Sequence, residues 1–205
     1  IRLTPPHIFR FERGLTPEKA LAEAQQEARE KLTLHRNELA ALIIEPLMQG
    51  AAGMWAHSVE YFKTLRQETK EHGILLICDE VATGFGRTGK MFACEHAGVE
   101  PDLLCLAKGI TGGYLPLAAT LTTDAIFSAF LAPYEDFRTF FHGHTYTGNP
   151  LACAACIANL DLFNADNTLE RLSPNTVRLQ QRLTDDVRPL PHVADVRQCG
   201  VMVGI

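Results

Sequence analysis

The chain has 205 residues, 46% hydrophobic and 21% charged, the balance of an ordinary globular protein with room for one sizeable domain or one and a half smaller ones. A net charge of −5 with no Lys/Arg cluster argues against a nucleic-acid footprint. No apolar run is long enough to span a bilayer, and the chain is too large and too apolar to need a disulfide framework for its six cysteines.

Cys78, Cys94 and Cys105 sit in or beside apolar stretches, where a reduced thiol behaves as a small hydrophobe. This usage points to a reducing, cytoplasmic setting. Residues 1–15 carry Pro5, Pro6 and Gly14 and read as an irregular lead-in. Thr16-Pro17-Glu18 is a helix start: a capping hydroxyl, proline at the first helical position and an acid in the first turn. That helix is expected to run to about Arg36. Ala40–Ile44 follows as a short apolar strand stopped by Pro46, and Ser58 caps a second helix with Val59, Phe62 and Leu65 on one face, ending near Gly73.

Ile74–Cys78 is an apolar strand ended by Asp79-Glu80. Leu103–Leu106 and Leu117–Leu121 are two more. Strands alternating with helices, and apolar at every position, predict an α/β fold with a mostly parallel sheet covered on both faces. Asn149-Pro150 opens a helix from Leu151 to about Phe163, and another runs from about Thr168 to Val187. Strand-like Val193–Arg197 and Val201–Ile205 then begin a smaller unit. The expected division is residues 1–165 as part of a large domain and 166–205 as the start of a small α+β one. Both ends read as cut, so the chain is expected to be a piece of a longer protein.

In α/β sheets ligands gather at the carboxyl ends of strands, which directs attention to Glu45, Asp79 and Lys108. An ionisable group placed directly after a buried strand needs a partner or a ligand. Asp79 and Lys108 could pair with each other or hold something between them. Pyridoxal phosphate suits the second option: it needs an amine for its aldehyde, an acid for its ring nitrogen, and hydroxyls or N–H groups for its phosphate. Thr145 lies shortly before a helix start. Taken singly, a strand-end Asp is more often a loop carboxylate or cap, and a lone Lys a solvated charge.

Four longer motifs tip that balance. They are Ile43-Ile-Glu-Pro-Leu-Met-Gln-Gly50, Leu76-Ile-Cys-Asp-Glu-Val-Ala-Thr-Gly-Phe-Gly-Arg-Thr-Gly89, Leu106-Ala-Lys-Gly-Ile-Thr-Gly-Gly113 and Gly143-His-Thr-Tyr-Thr-Gly-Asn-Pro150. In this order they resemble the class III aminotransferases, from about Ala40 to Phe163. Within that class the segments from Ala82 to His96 and from Phe141 to Cys153 are most similar to the 7,8-diaminononanoate synthases of biotin biosynthesis.

The resemblance implies the large domain of a fold type I pyridoxal-phosphate transferase, working as a homodimer with its sites at the interface. The implied reaction moves an amino group onto 8-amino-7-oxononanoate, from S-adenosylmethionine or, in some relatives, lysine. By the same resemblance Lys108 is the lysine that carries pyridoxal 5'-phosphate as a Schiff base. Asp79 is the acid on the ring nitrogen, and Val81 packs on the ring. Thr145, with His144 beside it, binds the phosphate of the neighbouring subunit's cofactor, and Gly143 contacts substrate. His144 stands where some members carry proline. Glu45 and Gln49 match a Glu-Pro-x-x-Gln pattern with a supporting role. An upstream phosphate loop and a downstream arginine for the substrate carboxylate fall outside the chain, so the site it holds is incomplete.

Other readings compete. Substrates of the ornithine or 4-aminobutyrate type suit the same class. Gly84-Phe-Gly-Arg-Thr-Gly89 has the spacing of a nicotinamide-dinucleotide fingerprint, but Asp79–Thr83 separate it from its strand. His142-x-His144 and Cys153-x-x-Cys156 look like metal-ligand pairs, yet the cysteines fall on an alanine-rich helix, so no metal is expected.

Overall fold

The computed structural model describes residues 1–6 and 15–205. Of the irregular lead-in, Pro5 and Pro6 fall within these residues and Gly14 lies outside them. Helix α1 (Pro17–Leu34) starts where its capping signals put it, with the Thr16 hydroxyl accepting from the Lys19 N–H. It ends two residues before Arg36. Ala20, Ala24, Ala28 and Leu32 recur every fourth residue and are buried, so a stripe of small side chains lets α1 lie close on its neighbour. That neighbour is α2 (Val59–Glu71), capped by Ser58, whose hydroxyl accepts from the Tyr61 N–H. It buries Tyr61, Phe62 and Leu65, while Val59 is only partly covered.

Between the two helices lie strand β1 (Ala41–Ile44) and a short antiparallel pair, β2 (Met48–Gln49) and β3 (Trp55–Ala56), which the sequence reading did not include. After α2 come β4 (Leu75–Asp79), β5 (Leu103–Leu106) and β6 (Ala119–Thr122). The sheet order is β1-β4-β5-β6. The first three strands are parallel and β6 is antiparallel to β5, so the sheet is mostly parallel with a reversed edge.

Alternation along the strands puts Leu76 and Cys78 on one face and Leu75, Ile77 and Asp79 on the other. The first face, with Ile44 and Leu104, packs under α1 and α2 as the main core. The second face is not covered as the unbroken apolar runs predict. Ile43 is 64% exposed and Leu75 37%, because among the described residues the helices α1 and α2 reach only one side. Burial pushes the Cys78 thiol up, and the Cys94 thiol up to about 12, as suits reduced thiols packed in a core.

Helix α3 (Asp124–Ala129) follows β6. Helix α4 (Pro150–Ala165) is capped by Asn149, whose Oδ1 accepts from the N–H groups of Leu151 and Ala152. Helix α5 (Thr168–Arg182) continues through one wider turn, Leu183–Val187. The chain closes with an antiparallel hairpin of β7 (Arg197–Cys199) and β8 (Met202–Gly204). The first strand was expected over Val193–Arg197. It begins at Arg197 because the hairpin turns at Gly200, with φ +62°, which sets the ladder on either side. Arg197 joins this hairpin to the β2–β3 loop. Its guanidinium lies 4.8 Å from the Trp55 ring centre and donates to the carbonyls of Met54 and Gly53.

Asp102 fastens the amino ends of the strands. Its carboxylate accepts from Arg66 of α2 and from the Leu76 N–H, both at 2.7 Å, and its own N–H donates to the Leu76 carbonyl. Partial burial pushes this carboxyl up, but the bonds from Arg66 and Leu76 and the guanidinium charge outweigh it and hold the pKa below the usual value. A lowered folded pKa gives stability that is present above the unfolded pKa and lost as pH falls through the folded one. Asp102→Asn is expected to cost about 1.5–3 kcal/mol near pH 7. Urea titrations should show that gap shrinking as the pH is taken below about 4; a gap independent of pH would deny the charge its role.

Candidate active site

The carboxyl ends of β1, β4 and β5 lie side by side because the three strands are parallel and in register. Asp79 is the last residue of β4 and pairs with Cys105 of β5; Lys108 follows just past the end of β5, at Leu106. The two candidate groups therefore leave the sheet from adjacent strand ends. Asp79 belongs to the face that α1 and α2 leave uncovered. One of its oxygens accepts from the Val81 N–H at 3.0 Å, which fixes the carboxylate and turns the chain toward Val81.

Glu80 goes the other way. Its N–H donates to the Cys105 carbonyl, and its side chain is fully buried. A buried carboxylate must be compensated, and here three donors do so: the Thr83 hydroxyl at 2.5 Å, the Ala93 N–H at 2.9 Å and the Cys94 N–H at 2.8 Å. The last two belong to the short 3₁₀ turn Ala93–His96. Glu80 thus pins both ends of the 81–92 loop beneath Asp79. Glu80 is not among the site residues that the sequence motifs single out. Its signal was there in the adjacent acid pair, since alternation sends neighbouring side chains to opposite faces.

The glycines of Gly84–Gly89 serve this loop rather than a helix start. A Cβ on Gly84 would meet the Glu80 carbonyl at 2.9 Å, and one on Gly86 would meet Leu169 of α5 at 3.0 Å. No helix opens there, which removes the basis of the dinucleotide reading. Of the pair Cys153-x-x-Cys156, Cys156 packs against the cluster of Phe85, Leu106 and Ile110.

Lys108 has φ +47°, a left-handed conformation that costs a non-glycine residue about 1–3 kcal/mol and persists only where the surroundings impose it. It begins the 3₁₀ turn Lys108–Thr111, which ends at Gly112. Gly109 touches the Phe85 side chain so closely that an added Cβ would lie 2.7 Å from the Phe85 Cβ. Ile110 is buried in the Phe85 cluster. From α4, the Asn159 amide donates to the carbonyls of Gly109 at 2.9 Å and Ile110 at 3.3 Å. Asn159 lies outside the motifs that point to the site.

Glu45 follows β1. Its Oε2 accepts from the Gly50 N–H at 3.0 Å, and Gly50 sits between that oxygen and Ala82, so the loops after β1 and β4 touch. Burial pushes the His57 imidazole down, and its Nε2 lies 3.1 Å from the Glu45 carbonyl. Gln49, on β2, belongs to the same loop. Glu45, Gln49, Asp79, Val81 and Lys108 thus gather at one edge of the sheet. Gly143, His144 and Thr145 lie on a separate, exposed segment before α4. Its hydrogen bonds are local: the His144 N–H donates to the Thr147 hydroxyl at 3.0 Å, and the Tyr146 N–H to the His144 Nδ1 at 3.1 Å.

The family model described as Aminotransferase class-III matches residues 2–205. The chain belongs to the class III aminotransferase family. The adenosylmethionine-8-amino-7-oxononanoate aminotransferase of Nitratidesulfovibrio vulgaris is 53% identical over the full chain, which covers 38% of that protein. The enzyme of the same name from Aquifex aeolicus is 49% identical, with 45% of its length covered. The chain therefore spans less than half the length of these relatives.

Among solved structures, an adenosylmethionine-8-amino-7-oxononanoate aminotransferase from Methanocaldococcus jannaschii superposes with a TM-score of 0.84 at 43% identity, over 88% of this chain and 42% of that one. A thermostable (S)-enantioselective omega-transaminase from Thermomicrobium roseum gives 0.89 at 39% identity, over 99% of this chain and 44% of that one. The sheet is accordingly that of the fold type I transferases. The cofactor of the class III family is pyridoxal 5'-phosphate, and the groups at the strand ends fit it: an amine and a carboxylate on adjacent strands, with an apolar side chain two residues beyond the acid.

If Glu80 holds the loop as described, Glu80→Ala in the full-length protein leaves the Ala93 and Cys94 N–H groups unpaired. The expected loss is about 3 kcal/mol, with Glu80→Gln losing less. Chemical denaturation measures both; equal stability of Glu80→Ala and wild type would refute the pinning role.

Proposed function

We propose that the full-length protein moves an amino group from S-adenosylmethionine onto 8-amino-7-oxononanoate to give 7,8-diaminononanoate, a step of biotin biosynthesis. The names of the relatives at 53% and 49% identity support substrate and donor. The observation that carries the chemistry is the emergence of Asp79 and Lys108 from adjacent parallel strand ends.

When bound, pyridoxal phosphate supplies a protonated ring that draws electrons from the carbon being deprotonated. Lys108 Nζ would hold the cofactor and, once free, would serve as the base and acid that moves the proton at the donor carbon. Asp79 would keep the ring nitrogen protonated, and Val81 would pack on the ring. Glu45 and Gln49 support the loop beside them. Lys108 would move the proton again when the acceptor ketone is aminated.

Gly143, His144 and Thr145 serve the neighbouring subunit in this proposal: Thr145 and His144 at the cofactor phosphate, Gly143 at the substrate. Their exposure supports that role, and so do the exposed aromatics Phe137, Phe140, Phe141 and Tyr146 along the same stretch, a surface suited to burial in a homodimer. The substrates are small molecules, with no part for nucleic acid or membrane. No helix among the described residues is long and apolar enough to cross a membrane. Six free cysteines favour the cytoplasm. We further assign 1–165 to the large domain and 166–205 to the start of the small one, a division supported by the separate two-stranded sheet of β7 and β8.

In the full-length enzyme Lys108→Ala is expected to lower kcat by at least about a thousandfold, and Asp79→Asn by about a hundredfold or more, with both proteins folded. Steady-state assays and far-UV circular dichroism check this; near-normal turnover in either variant removes that residue from its role. With 8-amino-7-oxononanoate as acceptor, S-adenosylmethionine should support turnover and lysine should not. Turnover with lysine alone would overturn the donor assignment.

A further inference from the structure

The left-handed backbone at Lys108 raises the question of what keeps it there. The 81–92 loop and helix α4 both pack on the turn 108–112. The 81–92 loop presses Phe85 against Gly109, where no Cβ fits. Helix α4 presents Asn159, whose amide nitrogen lies within bonding distance of two successive carbonyls, those of Gly109 and Ile110. The single 3₁₀ turn has few backbone donors to offer: Ile110 N–H donates to the Ala107 carbonyl and Gly112 N–H to that of Gly109. The Asn159 amide supplies both carbonyls with a donor from outside. Its orientation follows from chemistry, since the flipped amide would set an oxygen against two oxygens. The fit is close on the other side too, for a Cβ on Gly112 would lie 2.9 Å from Asn159 Oδ1.

We propose that Asn159 is a positioning residue of the reaction: by donating to the carbonyls of Gly109 and Ile110 it holds the lysine turn and so sets the direction in which Lys108 leaves the backbone. This rests on the reading of Lys108 as the cofactor lysine. With the clamp gone, Lys108 can relax toward right-handed φ, and its side chain then departs along a different line. An amine misplaced by an ångström reacts far more slowly without binding substrate less well.

The test uses the full-length holoenzyme carrying Asn159→Ala, which removes the donors, and Asn159→Asp, which keeps the shape and offers acceptors instead. Three readouts apply: kcat against KM, the circular dichroism of the cofactor's visible band, and hydrogen exchange at the Ile110 and Gly112 amides of the cofactor-free protein. Expected are a tenfold to hundredfold fall in kcat, about the cost of an ångström's misplacement, with KM little changed, an altered visible dichroism, and faster exchange at both amides. Asn159→Asp should be the worse of the two. If it does not fold, Asn159→Ala is read alone, a substitution that favours a helix interior. Wild-type kcat in the variants overturns the inference, as does a fall in kcat with unchanged dichroism and exchange. A wild-type holoenzyme with no visible band overturns the cofactor reading and this inference with it. A normal wild-type band with unaffected variants overturns this inference alone.

Discussion

The site depends on the parallel register between β4 and β5. Asp79 stands level with Cys105, so the acid ends one strand while the lysine follows the end of the next. Side chains alternate along a strand, and a slip of one residue would send Asp79 into the helix-covered core and Glu80 to the open face. The register is held at both ends. Asp102 ties the amino ends through Arg66 and Leu76, and the Glu80 N–H ties the carboxyl ends through Cys105. Packing of Leu76 and Cys78 against α1 and α2 penalises any slip, since it would expose them.

Two neighbouring carboxylates consequently have opposite duties. Asp79 is left available on the open face, with one oxygen steadied by the Val81 N–H. Glu80 is buried and spends its charge on three donors that close the loop beneath it. That loop places Phe85 against Gly109, and so reaches the lysine turn. The loop that follows the acid is thus joined to the lysine turn through the body of the protein.

Much of this was legible in the sequence. Thr16-Pro17, Ser58 and Asn149-Pro150 each carry a side-chain oxygen where the first N–H groups of a helix need one, and each helix begins there. The apolar runs before Asp79 and Lys108 placed both at strand ends. The direction of β6 is not stated by its own residues, although no α-helix lies between Lys108 and Ala119, only one 3₁₀ turn too short to carry a parallel crossover. Coverage of the second face was overestimated because apolar runs record burial in the whole protein, whereas this chain covers 38% and 45% of two close relatives. Asn159 could not have been found by spacing: it meets Gly109 across fifty positions, on a helix that otherwise reads as small-residue packing.

The most direct test of the central claim, that the cofactor is carried at the end of β5 facing the acid at the end of β4, is chemical. The full-length holoenzyme is reduced with borohydride, digested, and its peptides mapped by mass spectrometry. The pyridoxyl-phosphate mass is expected on the peptide containing Lys108. Its appearance on a different lysine, such as Lys90 or Lys63, or on none, would contradict the account.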